Sequence, residues 1–258
     1  MTKIEEAAKA LRSVYRGAPP ILPLRDQFDD PTVETAYAIQ DLNTRIWVEE
    51  GRKITGRKIG LTSKAVQEQL GVDQPDSGIL FQDMEVANFS ETAEAQICQP
   101  RIEGEIAFVL GRDIQSEEPS LQEIEASIDH AVAAFEIVGS RIKNWDISIF
   151  DTIADNASSA KYVLSEERVK LAQLDLIGCK MVLEKNGHVV STGEGAACLG
   201  NPVIATQWLA SNMAKLGNPM KAGDVVLSGA LGPFVSVEAG ATYELTVDGL
   251  GRVQTTFT

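Results

Sequence analysis

The segment IEGEIAFVL, residues 102–110, largely decides how this chain folds and which ligands it can bind. Its apolar residues predict a β-strand that enters a core, and alternate residues of a strand share one face. Glu103 and Glu105 therefore point the same way, while Gly104 lies between them on the opposite face. Two like charges side by side are unfavourable unless a cation or a proton lies between them. The alternative is that both carboxylates lie on the solvated face of an edge strand.

A third carboxylate, Glu136, stands in the apolar segment AVAAFEIVGSRI, residues 131–142. A glutamate in such surroundings is rarely left without a partner. Together with the first two carboxylates it would form a set of oxygen ligands suited to Mg²⁺ or Mn²⁺. The alternative is a structural salt bridge from Glu136 to Arg141 or Arg101.

The segment GRKIGLTS, residues 56–63, is a second cluster with chemical potential. Arg57 and Lys58 precede Thr62 and Ser63, which are residues typical of the start of a helix. A lysine at a strand end beside a helix N-terminus can hold a carboxylate, and burial can lower its pKa towards use as an acid or base. Most lysines are surface charges, and that is the alternative for Lys58.

Polar residues in two loop-like segments are further candidates. Asp76 lies in GVDQPDSG, and Ser158 lies in ADNASSA. Either side chain could bind a substrate, although such residues also simply form turns. The two histidines, His130 and His188, fit no nucleophile motif, and the glycine motifs of nucleotide-binding proteins are absent from the sequence.

The order of predicted elements favours an α+β fold. Two helices are expected near the N-terminus, beginning at Thr2 and at Asp30-Pro31, and a short third helix is expected around Lys64 to Leu70. We therefore expect a mostly helical N-terminal part over residues 1–75 and a β-rich catalytic core over residues 76–258, which together form one compact unit.

Strand and turn signals dominate the second half of the chain. Asn186-Gly187 between two apolar runs predicts a β-hairpin. A capping box at Ser120 predicts a helix that runs to about Ala133, and Asn201-Pro202 predicts another through about Leu216. Strands and helices do not alternate regularly, which favours an antiparallel-rich core over a doubly wound sheet.

The composition excludes several classes of function. The 258 residues include 37 acidic and 23 basic ones, and a formal net charge of −14 argues against a nucleic-acid partner. A carboxylate substrate would need a bound cation or a pocket Lys or Arg to overcome this field. No apolar run predicts a membrane span, and the N-terminus lacks the apolar core of a secretory signal. Three cysteines without metal-type spacing indicate reduced thiols and a cytoplasmic location.

Four ordered motifs resemble the 2-keto-4-pentenoate (2-hydroxypenta-2,4-dienoate) hydratases of the fumarylacetoacetase-like superfamily. The motifs are KIGLTSKAVQEQLGVDQPDSGILFQDM (58–84), PRIEGEIAFVLGRDI (100–114), FEIVGSRIKNWDISIFDTIADNAS (135–158) and GDVVLSGALG (223–232). The resemblance spans nearly the whole chain. It implies a mixed β-sandwich roll with a smaller helical N-terminal part, and a homo-oligomer.

The resemblance also implies roles for individual residues. The positions that match the family's ligands of Mg²⁺ or Mn²⁺ are Glu103, Glu105 and Glu136. Lys58 matches a lysine that acts on the enol or carboxylate of the substrate, and Asp76 matches a general acid/base. Leu61 and Ser158 join Lys58 at positions that would contact the substrate.

The implied reaction adds water to 2-hydroxypenta-2,4-dienoate and gives 4-hydroxy-2-oxopentanoate, in the meta-cleavage catabolism of aromatic compounds. An aldolase or a decarboxylase of the same pathway is then a candidate partner. Three alternatives stay open: a 4-oxalocrotonate decarboxylase, a 2-oxohept-4-ene-1,7-dioate hydratase, and a non-catalytic small-acid-binding protein on the same fold. The fumarylacetoacetase-type hydrolases use a histidine that activates water, and neither His130 nor His188 falls in the matching loops.

Overall fold

The computed structural model describes residues 1–63, Gln67, Val72 and 74–258. Helices and a mostly antiparallel pair of sheets make up the described residues, so the predicted α+β class is confirmed. The helices are α1 (Lys3–Tyr15), α2 (Val33–Glu49), α3 (Leu121–Ser127), α4 (Ile149–Ala154) and α5 (Pro202–Lys215). The strands are β1 (Ile54–Gly60), β2 (Asp76–Phe81), β3 (Glu85–Val86), β4 (Ser90–Thr92), β5 (Arg101–Leu110), β6 (Ile128–Val138), β7 (Ser159–Leu164), β8 (Lys180–Lys185), β9 (His188–Glu194), β10 (Val225–Ala230), β11 (Val235–Ser236), β12 (Thr242–Val247) and β13 (Gly251–Phe257).

The first N-terminal helix begins where its capping residue predicts, and the second begins slightly later than predicted. The Thr2 hydroxyl accepts from the Glu5 N–H while the Glu5 carboxylate accepts from the Thr2 N–H, which forms the expected capping box of α1. Helix α2 begins at Val33, with Thr32 as its cap rather than Asp30. Helices α1, α2 and α4 share one apolar cluster, and this places α4 beside the N-terminal part of the chain.

The larger sheet runs in the order β2-β1-β10-β5-β6-β7-β3, with β11 paired to β5. Strand β5 therefore lies in the interior of the sheet, between β10 and β6, and the edge-strand alternative for Glu103 and Glu105 is wrong. Strands β1 and β10 pair in parallel, so the stretch before residue 76 supplies a sheet strand as well as helices. The division of the chain at residue 76 stays a prediction.

The smaller sheet runs β4-β13-β12-β8-β9 and covers one face of the larger one. Apolar side chains between the two sheets include Ile106, Phe108 and Phe135 from the larger sheet and Leu245 from the smaller. Gly104 lies in this interface, where an added Cβ would stand 2.5 Å from Leu245 Cδ1. This close approach explains why the smallest residue separates the two glutamates, whose side chains point to the other face of β5.

The helix predicted from Ser120 to about Ala133 is too long. The capping box is present, but α3 ends at Ser127 and the chain continues as β6, so His130 lies on a strand. Strand β6 is paired on both sides, by β5 and β7, and is buried on both faces. Tertiary pairing here overrides the helix propensity of an alanine-rich segment.

Other sequence predictions of the second half are confirmed. Asn186 and Gly187 both have positive φ, at 50° and 78°, and join β8 to β9 as a hairpin. Asn201 caps α5, whose first residue is Pro202. The short helix predicted around Lys64 to Leu70 lies outside the described residues apart from Gln67. No helix in the described part of the chain has both the length and the apolar character needed to cross a membrane.

Candidate active site

Three carboxylates converge on the face of the larger sheet that points away from the smaller one. Glu103 and Glu136 are directly opposed in the β5–β6 ladder, and Glu105 lies two residues further along β5. Each side chain offers an oxygen, and these three oxygens lie within 4.8 Å of one another. Glu105 and Glu136 are buried, whereas Glu103 is partly exposed. The register of two neighbouring strands therefore assembles the cluster that the sequence predicts.

Lys58 supplies a positive charge to this cluster. Its Nζ lies 3.1 Å from Glu136 Oε1, and both side chains are almost fully buried, with 3% and 1% of their surfaces exposed. Burial disfavours the ammonium form, but Glu136, Asp76 and the other two glutamates outweigh it and raise the pKa of Lys58. Lys58 is therefore a buried, charged ammonium group and is not the surface lysine of the alternative interpretation.

One ammonium group cannot balance three carboxylates. Burial and the neighbouring Glu136 raise the pKa of Glu103 to about 8. Burial, Glu136 and Glu103 raise the pKa of Glu105 well above its usual value. Among the described residues, Glu105 Oε1 and both oxygens of Glu136 have no hydrogen-bond partner of normal geometry. Buried carboxylate oxygens that lack donors and repel one another fit a divalent cation, which accepts oxygen ligands.

Asp76 stands beside the lysine at the start of β2. Its Oδ2 accepts a hydrogen bond of 3.1 Å from the Thr152 hydroxyl, while its Oδ1 is buried without a partner among the described residues. Burial raises the pKa of Asp76, although Lys58 and Thr152 oppose this. Gly60 leaves the necessary space, because a Cβ there would stand 2.2 Å from Asp76 Oδ1 and 3.3 Å from Lys58 Nζ.

Ser158 lies close to Asp76 and Thr152, and it belongs to a strained backbone segment. Its hydroxyl lies 3.4 Å from that of Thr152, which connects it to Asp76. Asn156, Ala157 and Ser158 all have positive φ, between 49° and 58°, a conformation unfavourable for residues other than glycine. The Asn156 side chain holds the turn by accepting from the Ile79 N–H and donating to the Ile79 carbonyl.

Leu61 also has a left-handed backbone, with φ of 58°, directly after β1. The side chain is half-buried, and the carbonyl accepts a hydrogen bond of 2.7 Å from the Gln67 amide. The turn at Leu61 follows Lys58 and Gly60 along the same strand. The backbone of Leu61 is therefore near the carboxylate cluster. The contact of Leu61 with a substrate stays a prediction.

The structural salt bridges proposed for Glu136 are not present. Arg141 instead donates to Asp155, with 2.6 Å between Nε and Oδ1, and both side chains are buried. Arg101 lies over the rings of Trp145 and Phe234, with its Cζ at 4.2 and 4.6 Å from their centroids.

The histidines lie away from the carboxylates. His130 stands six positions before Glu136 on β6 (136 − 130) and contacts Asp129, with 2.8 Å between Nδ1 and Oδ2. At about 3.3 Å per residue this separates the two positions by roughly 20 Å. His188 is exposed beside the hairpin turn. Neither histidine can activate water at the carboxylate cluster.

Two contributors escape the sequence analysis. Thr152 links Asp76 to Ser158, and the Gly229 N–H donates to Glu105 Oε2 at 2.9 Å. Neither had a visible signal, since a threonine in an apolar helix and a glycine amide acquire their roles only through the fold. Asn156 stands in a segment whose polar residues the sequence predicts either to bind substrate or to form a turn, and its side chain fixes the turn before Ser158.

Comparison with known families identifies a match over most of the chain. Residues 58–258 match the model of the fumarylacetoacetate (FAA) hydrolase C-terminal family. The 2-keto-4-pentenoate hydratase of Paraburkholderia xenovorans (strain LB400) is 50% identical over 253 residues, which cover 98% of this chain and 94% of that protein. The 2-hydroxyhexa-2,4-dienoate hydratase of Comamonas testosteroni is 39% identical over 257 residues, covering 99% and 97%.

A solved structure has nearly the same fold. The 4-oxalocrotonate decarboxylase from Pseudomonas putida G7, complexed with magnesium and adipate, superposes with a TM-score of 0.96. It is 30% identical to this chain, and the match covers 100% of this chain and 99% of the decarboxylase. The predicted mixed β-sandwich roll with a helical N-terminal part is therefore confirmed.

Neutralising one carboxylate should stabilise the metal-free protein. We expect Glu105→Gln, measured by urea unfolding after passage over a chelating resin, to raise the free energy of unfolding by about 1–3 kcal/mol, because it removes a buried, repelled charge. Glu136→Gln should instead destabilise it, since the Lys58 ammonium would lose the carboxylate that contacts it directly. Equal losses of stability in both variants would contradict this account of the cluster.

Proposed function

This chain belongs to the fumarylacetoacetate hydrolase family, and we propose that it is a metal-dependent hydratase of 2-hydroxypenta-2,4-dienoate. The observation that carries the proposal is the convergence of Glu103, Glu105 and Glu136 around Lys58, with Asp76 beside them, in a chain whose hydratase relatives reach 50% identity. The product would be 4-hydroxy-2-oxopentanoate, within the meta-cleavage catabolism of aromatic compounds.

Glu103, Glu105 and Glu136 would hold Mg²⁺ or Mn²⁺. The fit rests on their donor set: hard carboxylate oxygens, of which Glu105 Oε1 and Glu136 Oε2 lack a hydrogen-bond donor among the described residues. The Gly229 N–H fixes one oxygen of Glu105 and leaves the other free to act as a ligand. When bound, the cation supplies Lewis-acid stabilisation of negative charge on the substrate's 2-oxygen.

Lys58, Leu61 and Ser158 would position the acid end of the substrate. The Lys58 ammonium attracts the carboxylate into a pocket whose protein charges are otherwise negative. The Ser158 hydroxyl is held by a rigid turn and can donate to a keto-acid oxygen. The backbone at Leu61 borders the lysine and shapes the pocket wall.

Asp76 would move the protons, and Lys58 would control the charge of Asp76. Hydration first moves a proton from the 2-hydroxyl group to C5, which gives 2-oxopent-3-enoate. Water then adds at C4 and loses one proton while C3 gains one, which gives 4-hydroxy-2-oxopentanoate. The Asp76 carboxyl group has a raised pKa and an unpartnered Oδ1, so it can deliver the proton to C5 and accept the proton from water. The Lys58 ammonium beside it stabilises Asp76 after the first transfer.

A 4-oxalocrotonate decarboxylase is the second candidate, because a protein with that activity shares the whole fold at a TM-score of 0.96. Sequence identity favours the hydratase, at 50% against 30%. Identity also falls to 39% for the relative named for a six-carbon dienoate, which favours the five-carbon substrate.

We also propose a cytoplasmic homo-oligomer, with a pathway aldolase or decarboxylase as a candidate partner. Strand β9 ends the smaller sheet, and Val189 and Val190 on it are 58% and 39% exposed. An apolar edge strand of this kind favours pairing with another chain.

Val190→Lys should shift sedimentation towards smaller species, and unchanged sedimentation would exclude this edge as the contact.

Activity should depend on the cation held by the glutamates. After metal removal the protein should no longer consume the conjugated absorbance of 2-hydroxypenta-2,4-dienoate, and Mg²⁺ or Mn²⁺ should restore turnover to a product heavier by one water. Glu105→Gln should lose this response, whereas Glu118→Gln, at an exposed position, should keep it. Release of carbon dioxide from 4-oxalocrotonate without hydration would establish the decarboxylase instead.

Lys58→Met and Asp76→Asn should each lower turnover by roughly 10²–10⁴-fold, the usual contribution of a positioned acid or base. Asp76→Asn keeps an acceptor for the Thr152 hydroxyl but cannot carry a proton. Metal binding, followed by calorimetry, should be nearly intact in both variants, and exposed Lys143→Met should behave as wild type. Unchanged turnover in either variant would remove that residue from the mechanism.

A further inference from the structure

A cavity lies on the opposite face of β1 from the candidate active site. Its volume is about 670 Å³, and it opens between α2, α5 and the β1–β2 pair. The lining residues that matter here are Tyr37, Thr44, Arg57, Ile79, Asn212 and Met213. Arg57 and Lys58 are neighbours on β1, and alternation along the strand directs Lys58 to the carboxylates and Arg57 to this cavity.

Arg57 is a buried cation without a salt bridge to any described residue. Only 6% of its surface is exposed. Its Nη1 donates to the carbonyl of Gly56, and its Nε has no acceptor among the described residues. Burial lowers the pKa of Arg57, and the only described carboxylate that opposes this effect is Asp224, which accepts from the Lys221 N–H. A buried charge left in this state is strongly unfavourable.

A second orphaned donor lines the same cavity. Thr44 Oγ1 on α2 is buried and has no hydrogen-bond partner in the described structure. The remaining polar wall is already organised, since Tyr37 Oη lies 3.1 Å from Ser77 Oγ and accepts from the Asn212 amide at 3.2 Å. Two unused donors therefore line the cavity beside a Tyr37–Ser77–Asn212 group that is already hydrogen-bonded.

We propose that this cavity binds a monocarboxylate, with the guanidinium of Arg57 and the hydroxyl of Thr44 as donors. A guanidinium presents paired N–H groups that match the two oxygens of a carboxylate. Ile54, Ile79, Met213 and Leu216 line the cavity and suit a small apolar body on the ligand. Exposed Glu34 and Asp41 lie at its outer wall, so a dianion such as phosphate is disfavoured.

The carboxylate has two chemically equivalent sources: a free small molecule, or an aspartate or glutamate of a second copy of the chain. Either would supply the counter-charge that Arg57 lacks among the described residues. The site is separate from the candidate metal ligands, so its occupancy does not depend on the hydratase activity. It should persist in Glu105→Gln.

Thermal unfolding of the full-length protein, stripped of metal on a chelating resin, tests the proposal. Acetate and benzoate should raise the melting temperature by roughly 5 °C at about a hundred times their dissociation constants. Arg57→Met should abolish the shift and melt at or above the ligand-free wild type, because it removes an unpaired buried charge. Arg112→Met, at an exposed arginine that does not line the cavity, should respond as wild type.

Sedimentation velocity separates the two sources. If neither acid shifts the melting temperature but Arg57→Met weakens self-association, the carboxylate comes from a second copy. If Arg57→Met changes neither property, or if inorganic phosphate acts as well as benzoate, the proposal is overturned. Should Arg57→Met fail to fold, Thr44→Val replaces it: benzoate affinity should fall about 2–10-fold relative to Arg112→Met, and unchanged affinity would overturn the proposal.

Discussion

The repulsion among three carboxylates on one face of a sheet is the constraint on which the rest of this molecule depends. Glu103 and Glu136 are cross-strand neighbours, and like charges in that position destabilise a sheet. The arrangement persists because long strands on both sides fix the register of β5 and β6, with ten residue pairs from Arg101 to Leu110. The negative charge of the three carboxylates is stabilised by the Lys58 ammonium and the Gly229 amide, and a bound divalent cation would neutralise the remainder.

The two faces of the larger sheet divide the work. On one face, Ile106, Phe108 and Phe135 pack against the smaller sheet and supply apolar burial. On the other face, Ala107 and Val109 pack in a separate apolar cluster, and Glu103 and Glu105 occupy the preceding positions of β5. Gly104 serves both faces. Because it has no side chain, Leu245 can pack closely against β5 on one face, while Glu103 and Glu105 still point to the other face. The stability of one face thus offsets the electrostatic strain of the other.

The alternation of side chains along a strand made the carboxylate cluster predictable. The roles of residues that act through tertiary contacts could not be predicted. Glu103 and Glu105 share a face in any strand, and the apolar surroundings of Glu136 indicated a buried partner. The predicted helix extended too far because β6 is buried on both faces and so shows no alternation of polar and apolar residues. Thr152 stayed hidden for a different reason: its hydroxyl meets Asp76 across 76 residues of sequence, and no local pattern records that contact.

Strand β1 also places charged side chains on both of its faces. Arg57 and Lys58 are adjacent in sequence, buried, and directed to opposite faces, so the two cations are separated by the thickness of one strand. Lys58 is stabilised by a surplus of carboxylates, whereas Arg57 has none within a salt bridge among the described residues. Among the described residues, one face of the sheet carries a surplus of carboxylates and the other carries a buried guanidinium without a salt bridge. The cation and the carboxylate that we propose for these two places would each supply the missing counter-charge of its face.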